Sequence, residues 1–162
     1  MNLSSVYHLE EIVVARLYPG DSLIDGIKNI AQEHGVKTGV ILSVIGTTQQ
    51  LVLRNPKPGL KLPITDETEQ STQTDTYSVE RPLEIITAEG IISEKDDQID
   101  VHLHICCSQD GGRAYTGHLF RATVWTQAEV VIGKLKGSPL RRKFDKITGL
   151  YQLDVGKKGG ER

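Results

Sequence analysis

Apolar and polar residues alternate along most of the chain in short runs that are typical of β-strands. The runs cover residues 6–17, 39–46 and 49–55, and from Asp75 onward TYSVE, PLEIITAEGIIS, QIDVHLHICC, RAYTGHLFRATVWT, AEVVIGKL and a last short GLYQLDV. Charged or glycine-containing separators lie at 80–82, 94–97 and 110–112, as antiparallel hairpins require. Residues 55–75 are rich in Pro, Lys, Thr, Asp and Gln, and we expect them to form an exposed excursion.

One segment has helical rather than strand periodicity. Its apolar residues repeat on one helix face, at Leu23, Ile24, Ile27, Ile30 and Ala31. Pro19-Gly20 breaks the preceding strand, Asp21-Ser22 offers an N-cap, and Gly35 suits a C-terminal stop. The pattern predicts a helix over about 22–34, packed on a mostly antiparallel sheet, which is an α+β fold.

Length and composition favour one intracellular domain. With 162 residues we expect a single domain over 1–155 and a flexible basic tail over 156–162. No apolar run approaches the roughly 18–20 residues that cross a bilayer, and no secretory leader is evident, so a cytoplasmic protein without membrane contact is expected. Cys106 and Cys107 are adjacent, hence on opposite strand faces, which argues against a disulfide framework.

Positive charge is concentrated near the end of the chain. Residues 134–162 hold nine Lys and Arg against three Asp and Glu, whereas the whole chain has a net charge of −2. The basic segment 134–146 could attract nucleic-acid phosphates. The alternative is a solvated surface segment followed by a frayed tail.

Three histidines form the sharpest chemical pattern in the sequence. His102 and His104 are two residues apart and therefore share one strand face. A hairpin at Asp110-Gly111-Gly112 would bring residues near 104 opposite His118. Three imidazoles could then hold a zinc ion and leave a fourth position open for water. The alternative is that these histidines are exposed or hydrogen-bonded in the core.

Other catalytic signatures are weaker. The sequence contains no phosphate-binding glycine loop and no nucleophile elbow. Glu84 lies in an apolar strand and could orient a metal-bound histidine or act as a general base. It could equally be an edge charge or pair with an arginine such as Arg54. If the site is catalytic, Arg54 could bind an anionic group of a substrate.

Four segments in order resemble one family, the plants and prokaryotes conserved (PPC) domain. They are RLYPGDSLIDGIKNIAQEHGVKTGVILSVIGTTQQLVLR, PLEIITAEGIIS, DVHLHICCSQDGGRAYTGHLF and TQAEVVI. The resemblance implies a curved antiparallel sheet with a packed helix and a homotrimer. It also implies that His102, His104 and His118, which match an H-x-H plus G-H-L pattern, hold one metal ion per chain, with zinc as the expected ion. Plant relatives carry an AT-hook before this domain, and its Arg-Gly-Arg-Pro core is absent here.

Three functional hypotheses follow. The first is a trimeric regulatory module that acts with DNA or a protein partner. The second is a zinc-dependent enzyme or small-ligand binder that uses an open three-histidine site. The third is a structural trimer whose histidines serve packing alone.

Overall fold

Seven β-strands and one α-helix occur in residues 4–64 and 74–155, which are the residues that the computed structural model describes. In chain order they are β1 (His8–Leu17), α1 (Leu23–Glu33), β2 (Gly39–Pro56), β3 (Thr74–Lys95), β4 (Gln98–Ser108), β5 (Ala114–Lys136), β6 (Arg141–Asp145) and β7 (Leu150–Asp154). The fold is therefore mostly β with one packed helix, rather than an even mixture of helix and sheet. The tail predicted at 156–162 lies outside the described residues.

Four long strands close into a ring. β2 pairs with both β3 and β5, and β4 pairs with the same two strands, all of them antiparallel. β1 extends the sheet beyond β5, while β6 lies parallel to β3 and pairs with β7. Apolar residues of the ring fill one continuous core, so alternate side chains of each strand face outward.

The helix forms as its sequence predicts. The Ser22 hydroxyl caps it by accepting a 3.3 Å hydrogen bond from the amide of Asp25. Its buried face consists of Leu23, Ile27 and Ala31, which join the sheet core. The predicted span of about 22–34 is confirmed to within a residue at each end.

The separator predicted at 80–82 is wrong. Residues 76–93 belong to one strand, β3, and the pairing of Gln50 with Glu80 is followed by that of Thr48 with Leu83. Two residues of β3 thus bulge opposite one of β2, and Pro82, which lacks an amide hydrogen, sits in that bulge. Bulges likewise merge the predicted runs at 39–46 and 49–55 into β2. The two turns predicted at 94–97 and 110–112 are present.

The predicted excursion is only partly described. Residues 57–64 leave the sheet after β2, and Ile64 is buried while its amide donates to the carbonyl of Thr148 at 2.9 Å. Residues 65–73 of the excursion lie outside the described residues. Among the described helices, none combines the length and apolar character needed to span a membrane.

Candidate metal centre

The three predicted histidines meet on the outer face of the sheet. His104 of β4 pairs directly with His118 of β5, and His102 precedes His104 by two residues on the same face. Their ligand nitrogens all lie within 4.8 Å of one another, and the Nε2 atoms of His102 and His104 are 3.2 Å apart. The hairpin predicted from Asp110-Gly111-Gly112 therefore brings the cluster together as expected.

The spacing of these nitrogens fits one small metal ion. A tetrahedral zinc with Zn–N bonds of about 2.0–2.1 Å places its ligand nitrogens about 3.4 Å apart. The pair His102–His104 is close to this separation at 3.2 Å, and all three ligand nitrogens lie within 4.8 Å of one another. Each ring also packs against the other two, with centroids 4.8–5.4 Å apart. The donor set is thus compact enough for a three-histidine site.

Burial favours the neutral, metal-binding form of His102 and His118 by lowering the pKa of each. Burial, then the charge of Arg142, then the two neighbouring rings lower the pKa of His102 to about 4. The pKa of His118 is also lowered, first by burial and then by His104 and Arg54. Because a metal must displace any proton on its ligand nitrogen, these shifts favour metal binding near neutral pH.

Two glycines allow the strands to approach closely at the cluster. A Cβ at Gly117, whose φ is +155°, would collide with the side chain of Asn55. Asn55 uses that space to accept from the amide of His118 at 3.3 Å and to donate to the carbonyl of Thr116 at 3.1 Å. At Gly90 a Cβ would collide with the carbonyl of His102. The hydrogen bonds of Asn55 and the close approach of Gly90 to the carbonyl of His102 both hold the backbone that carries the histidines.

The histidines belong to a longer polar row across the ring. Glu89 of β3 pairs with His104, His104 pairs with His118, and His118 pairs with Arg54 of β2. Paired residues of neighbouring strands share a face. The row therefore has a carboxylate at one end and a guanidinium at the other.

Sequence reasoning missed Glu89 and Asn55. Asn55 lies on a strand far from the histidines in the chain, and only the register of β2 against β5 reveals its position. Glu89 lies on the same hairpin as His104, so the turn predicted at 94–97 was a signal that could have placed it opposite that histidine. Glu84, the predicted carboxylate, is exposed and pairs instead with Ser108. Ser108 lies four residues beyond His104, or about 13 Å along a strand. Among the predicted accessory residues, the structure brings Arg54 to the cluster but not Glu84.

Open space adjoins the cluster on the side of Glu89. A groove of about 510 Å³ is lined by the apolar side chains of Val40, Leu42 and Ile91 and by His102, His104 and Glu89. A neighbouring groove of about 310 Å³ shares His104 and Glu89 and includes Cys106. A metal at the cluster would therefore face a space that a small molecule can enter.

Comparison with known proteins identifies the family. The model of the Plants and Prokaryotes Conserved (PCC) domain matches residues 5–136. The chain belongs to this family, also abbreviated PPC.

Solved structures share the PPC fold over nearly their whole length. A metal-containing protein from Archaeoglobus fulgidus is 28% identical, with a TM-score of 0.76. The match covers 93% of this chain and 99% of that chain. A PPC protein from Pyrococcus horikoshii is 25% identical, with a TM-score of 0.79 and coverage of 96% and 99%. A candidate DNA-binding protein from Bacteroides thetaiotaomicron, 21% identical with a TM-score of 0.73 and coverage of 93% and 98%, shares the fold.

Curated relatives are much longer than this PPC chain. A protein named bifunctional protein GlmU, from Synechococcus sp. (strain JA-3-3Ab), is 28% identical over 143 residues, which are 88% of this chain. The chain spans about a fifth of the length of the curated relatives it matches.

The basic segment of this PPC domain is largely neutralised within the fold. Four of its cations lie beside carboxylates on neighbouring strands, in the pairs Lys134–Glu11, Arg141–Glu94, Arg142–Asp100 and Lys143–Asp154. The Arg142 Nε donates to the Asp100 carboxylate at 2.8 Å, and only 10% of the arginine side chain is exposed. Internal ion pairs thus neutralise much of the positive charge in the segment that the sequence predicts as a phosphate-binding candidate.

Proposed function

We propose that this PPC domain binds one divalent metal ion through His102, His104 and His118 and presents it to a small ligand in the adjoining groove. The observation that carries the proposal is the convergence of three ligand nitrogens within 4.8 Å on a closed, rigid sheet. Two of the three imidazoles have lowered pKa values, so they are neutral at the pH at which a metal would bind.

Zinc is the ion that we propose for this donor set. Imidazole nitrogens suit zinc, copper and nickel, whereas magnesium and calcium require mainly oxygen ligands. The copper and nickel alternatives are outcomes of the metal analysis described below. Three histidines leave one tetrahedral position free, and a zinc ion there would supply a Lewis acid and an acidified water. The chain itself would hold the ion, shield one side of it with Val40, Leu42 and Ile91, and offer Glu89 as a hydrogen-bond or proton acceptor.

Contact with DNA is the second candidate function. It is supported by the basic segment and by the name of the Bacteroides relative. The ion pairs of that segment weigh against it, since paired cations release few counterions from DNA. We therefore place the metal site first.

We further propose a homotrimer, as the family resemblance implies. Five exposed apolar side chains lie on β1 and β2, the two strands that flank β5, at Leu9, Ile12, Val14, Leu42 and Ile45. Exposed apolar patches of this kind mark protein interfaces. Leu42 belongs to both this patch and the groove beside the histidines, so a neighbouring copy packed on the patch would help to enclose the metal site.

The test is metal content per chain, measured by elemental analysis on untagged protein purified without chelator. About one zinc per chain is expected, and His104→Ala should lose it while His8→Ala, a histidine of β1 outside the cluster, should keep it. Light scattering on the same samples should give three times the mass of the 17.9 kDa chain. Metal-free protein that also fails to take up added zinc would overturn the metal proposal, and a monomer would overturn the trimer.

A further inference from the structure

Arg54 has surroundings that suit a binding residue better than a structural one. Its guanidinium carbon lies 4.3 Å from the ring centroid of Phe120, and its Nε is buried without a hydrogen-bond partner. A buried N–H of a charged group that lacks an acceptor destabilises the fold. Such a group calls for an explanation in the function of the protein.

Three other arginines of the described chain have polar partners of a kind that Arg54 lacks. Arg141 and Arg142 lie beside carboxylates, and Arg81 donates to Gln109 at 3.1 Å and lies 4.0 Å from Asp110. Within residues 4–64 and 74–155 no carboxylate forms an ion pair with Arg54. No carboxylate of the described residues therefore neutralises its positive charge.

The position of Arg54 links that charge to the metal site. Arg54 pairs with His118 across β2 and β5, and its charge is one of the causes that lower the pKa of that histidine. A fixed cation beside a divalent metal repels it. An anion that lies between the metal and the guanidinium is attracted to both of them and offsets their mutual repulsion.

Phe120 determines how the guanidinium can act. The ring occupies one face of the guanidinium plane, which leaves the N–H groups at the edge of that plane. Those N–H groups match the paired oxygens of a carboxylate or a phosphate in a bidentate contact. Lysine would keep the charge at this position but lose the planar fork.

We propose that Arg54 binds the oxyanion group of a small ligand of the metal site, at the end of the row opposite the groove beside Glu89. The ligand class is a small molecule with a carboxylate or phosphate group, one oxygen of which reaches the open metal position while the group contacts the guanidinium. The inference rests on the proposed metal site and adds the chemical class of its ligand.

The experiment uses cobalt-loaded protein, whose visible absorption reports a change of ligand at the metal. Inorganic phosphate and acetate are titrated separately into the wild type, Arg54→Lys, Arg54→Met and the control Arg81→Met, an exposed arginine outside the row. We expect one cobalt per chain in all four proteins. At least one of the two anions should bind the wild type and Arg81→Met with equal affinity. Its affinity for Arg54→Met should be about tenfold or more lower, and its affinity for Arg54→Lys should be intermediate.

The outcomes separate the two proposals. If cobalt binds but neither anion changes the spectrum of the wild type, or if Arg54→Met binds the anion as tightly as Arg81→Met, the Arg54 inference is overturned and the metal site stands. Failure of the wild type to bind cobalt or zinc overturns both. Circular dichroism of each variant checks folding, and Arg54→Lys supplies the comparison if Arg54→Met does not fold.

Discussion

The histidine row and the basic segment carry the two conspicuous charge patterns of the sequence, and the fold treats them in opposite ways. In the row, three imidazoles and Arg54 lie together on an open face, and Arg54 has no carboxylate partner among the described residues. In the basic segment, Arg141, Arg142 and Lys143 each lie beside a carboxylate. A count of charges along the chain therefore says little about which positive groups remain free to bind a ligand.

Among the tests of this contrast, Gly117→Ala should have the largest effect, on both stability and zinc affinity. The new methyl group would collide with Asn55, whose side chain holds the backbone of His118, at a φ that only glycine adopts readily. We expect the protein to lose about 1–3 kcal/mol of stability and zinc affinity to fall about tenfold or more. Denaturant unfolding and competition with a zinc chelator measure the two effects.

The control for this variant is Gly111→Ala in the turn between β4 and β5. Gly111 also has a positive φ, of 77°, but open space surrounds its missing Cβ. It should therefore lose some stability without losing zinc affinity. Equal loss of zinc affinity in both variants would mean that Asn55 does not position the site.

A second, smaller effect is a dependence of apo-protein stability on pH. The pKa of His102 is about 4 in the folded chain and about 6.5 in the unfolded chain. Between these values the unfolded chain takes up a proton that folded His102 does not, so stability falls as the pH decreases from about 6.5 towards 4. The lowered pKa of His118 acts in the same direction.

Unfolding in denaturant at a series of pH values tests this dependence in metal-free protein. His102→Gln removes one titrating group and should make the decline between pH 6.5 and 4 shallower than in the wild type. His8→Gln, outside the cluster, should leave the decline unchanged. A steeper decline in His102→Gln than in the wild type would contradict the assignment of a buried, neutral imidazole.

The sequence predicts local features of the fold well and distant ones poorly. The helix follows from periodicity and a cap within about a dozen residues, and the His104–His118 pairing follows from a short hairpin. The role of Asn55 depends on the register of β2 against β5, two strands far apart in the chain. The pairing of Glu89 with His104, by contrast, follows from the short hairpin between β3 and β4 and was open to prediction. Pro82 misled the prediction because a bulge accommodates a proline without ending the strand.

The smallest expected effect, close to zero, concerns the basic segment. In the double variant Arg141→Gln, Lys143→Gln, each lost cation was paired with a carboxylate, Glu94 or Asp154. We therefore expect the affinity for duplex DNA, titrated from low to physiological salt, to match that of the wild type. The two cations are more than half exposed, at 56% and 67%, and Glu94 keeps its ion pair with Lys37, so stability should change by less than about 1 kcal/mol for each substitution.

The slope of log affinity against log salt decides the comparison between the two regions. Each phosphate contact contributes about −0.9 to that slope, so two lost contacts would flatten it by nearly two. A flattening of that size would mean that DNA phosphates replace the carboxylates as partners of the β6 cations, so that these cations contact DNA despite their ion pairs. An unchanged slope would leave Arg54, whose charge meets no carboxylate in the described chain, as the better-placed group for binding an anion.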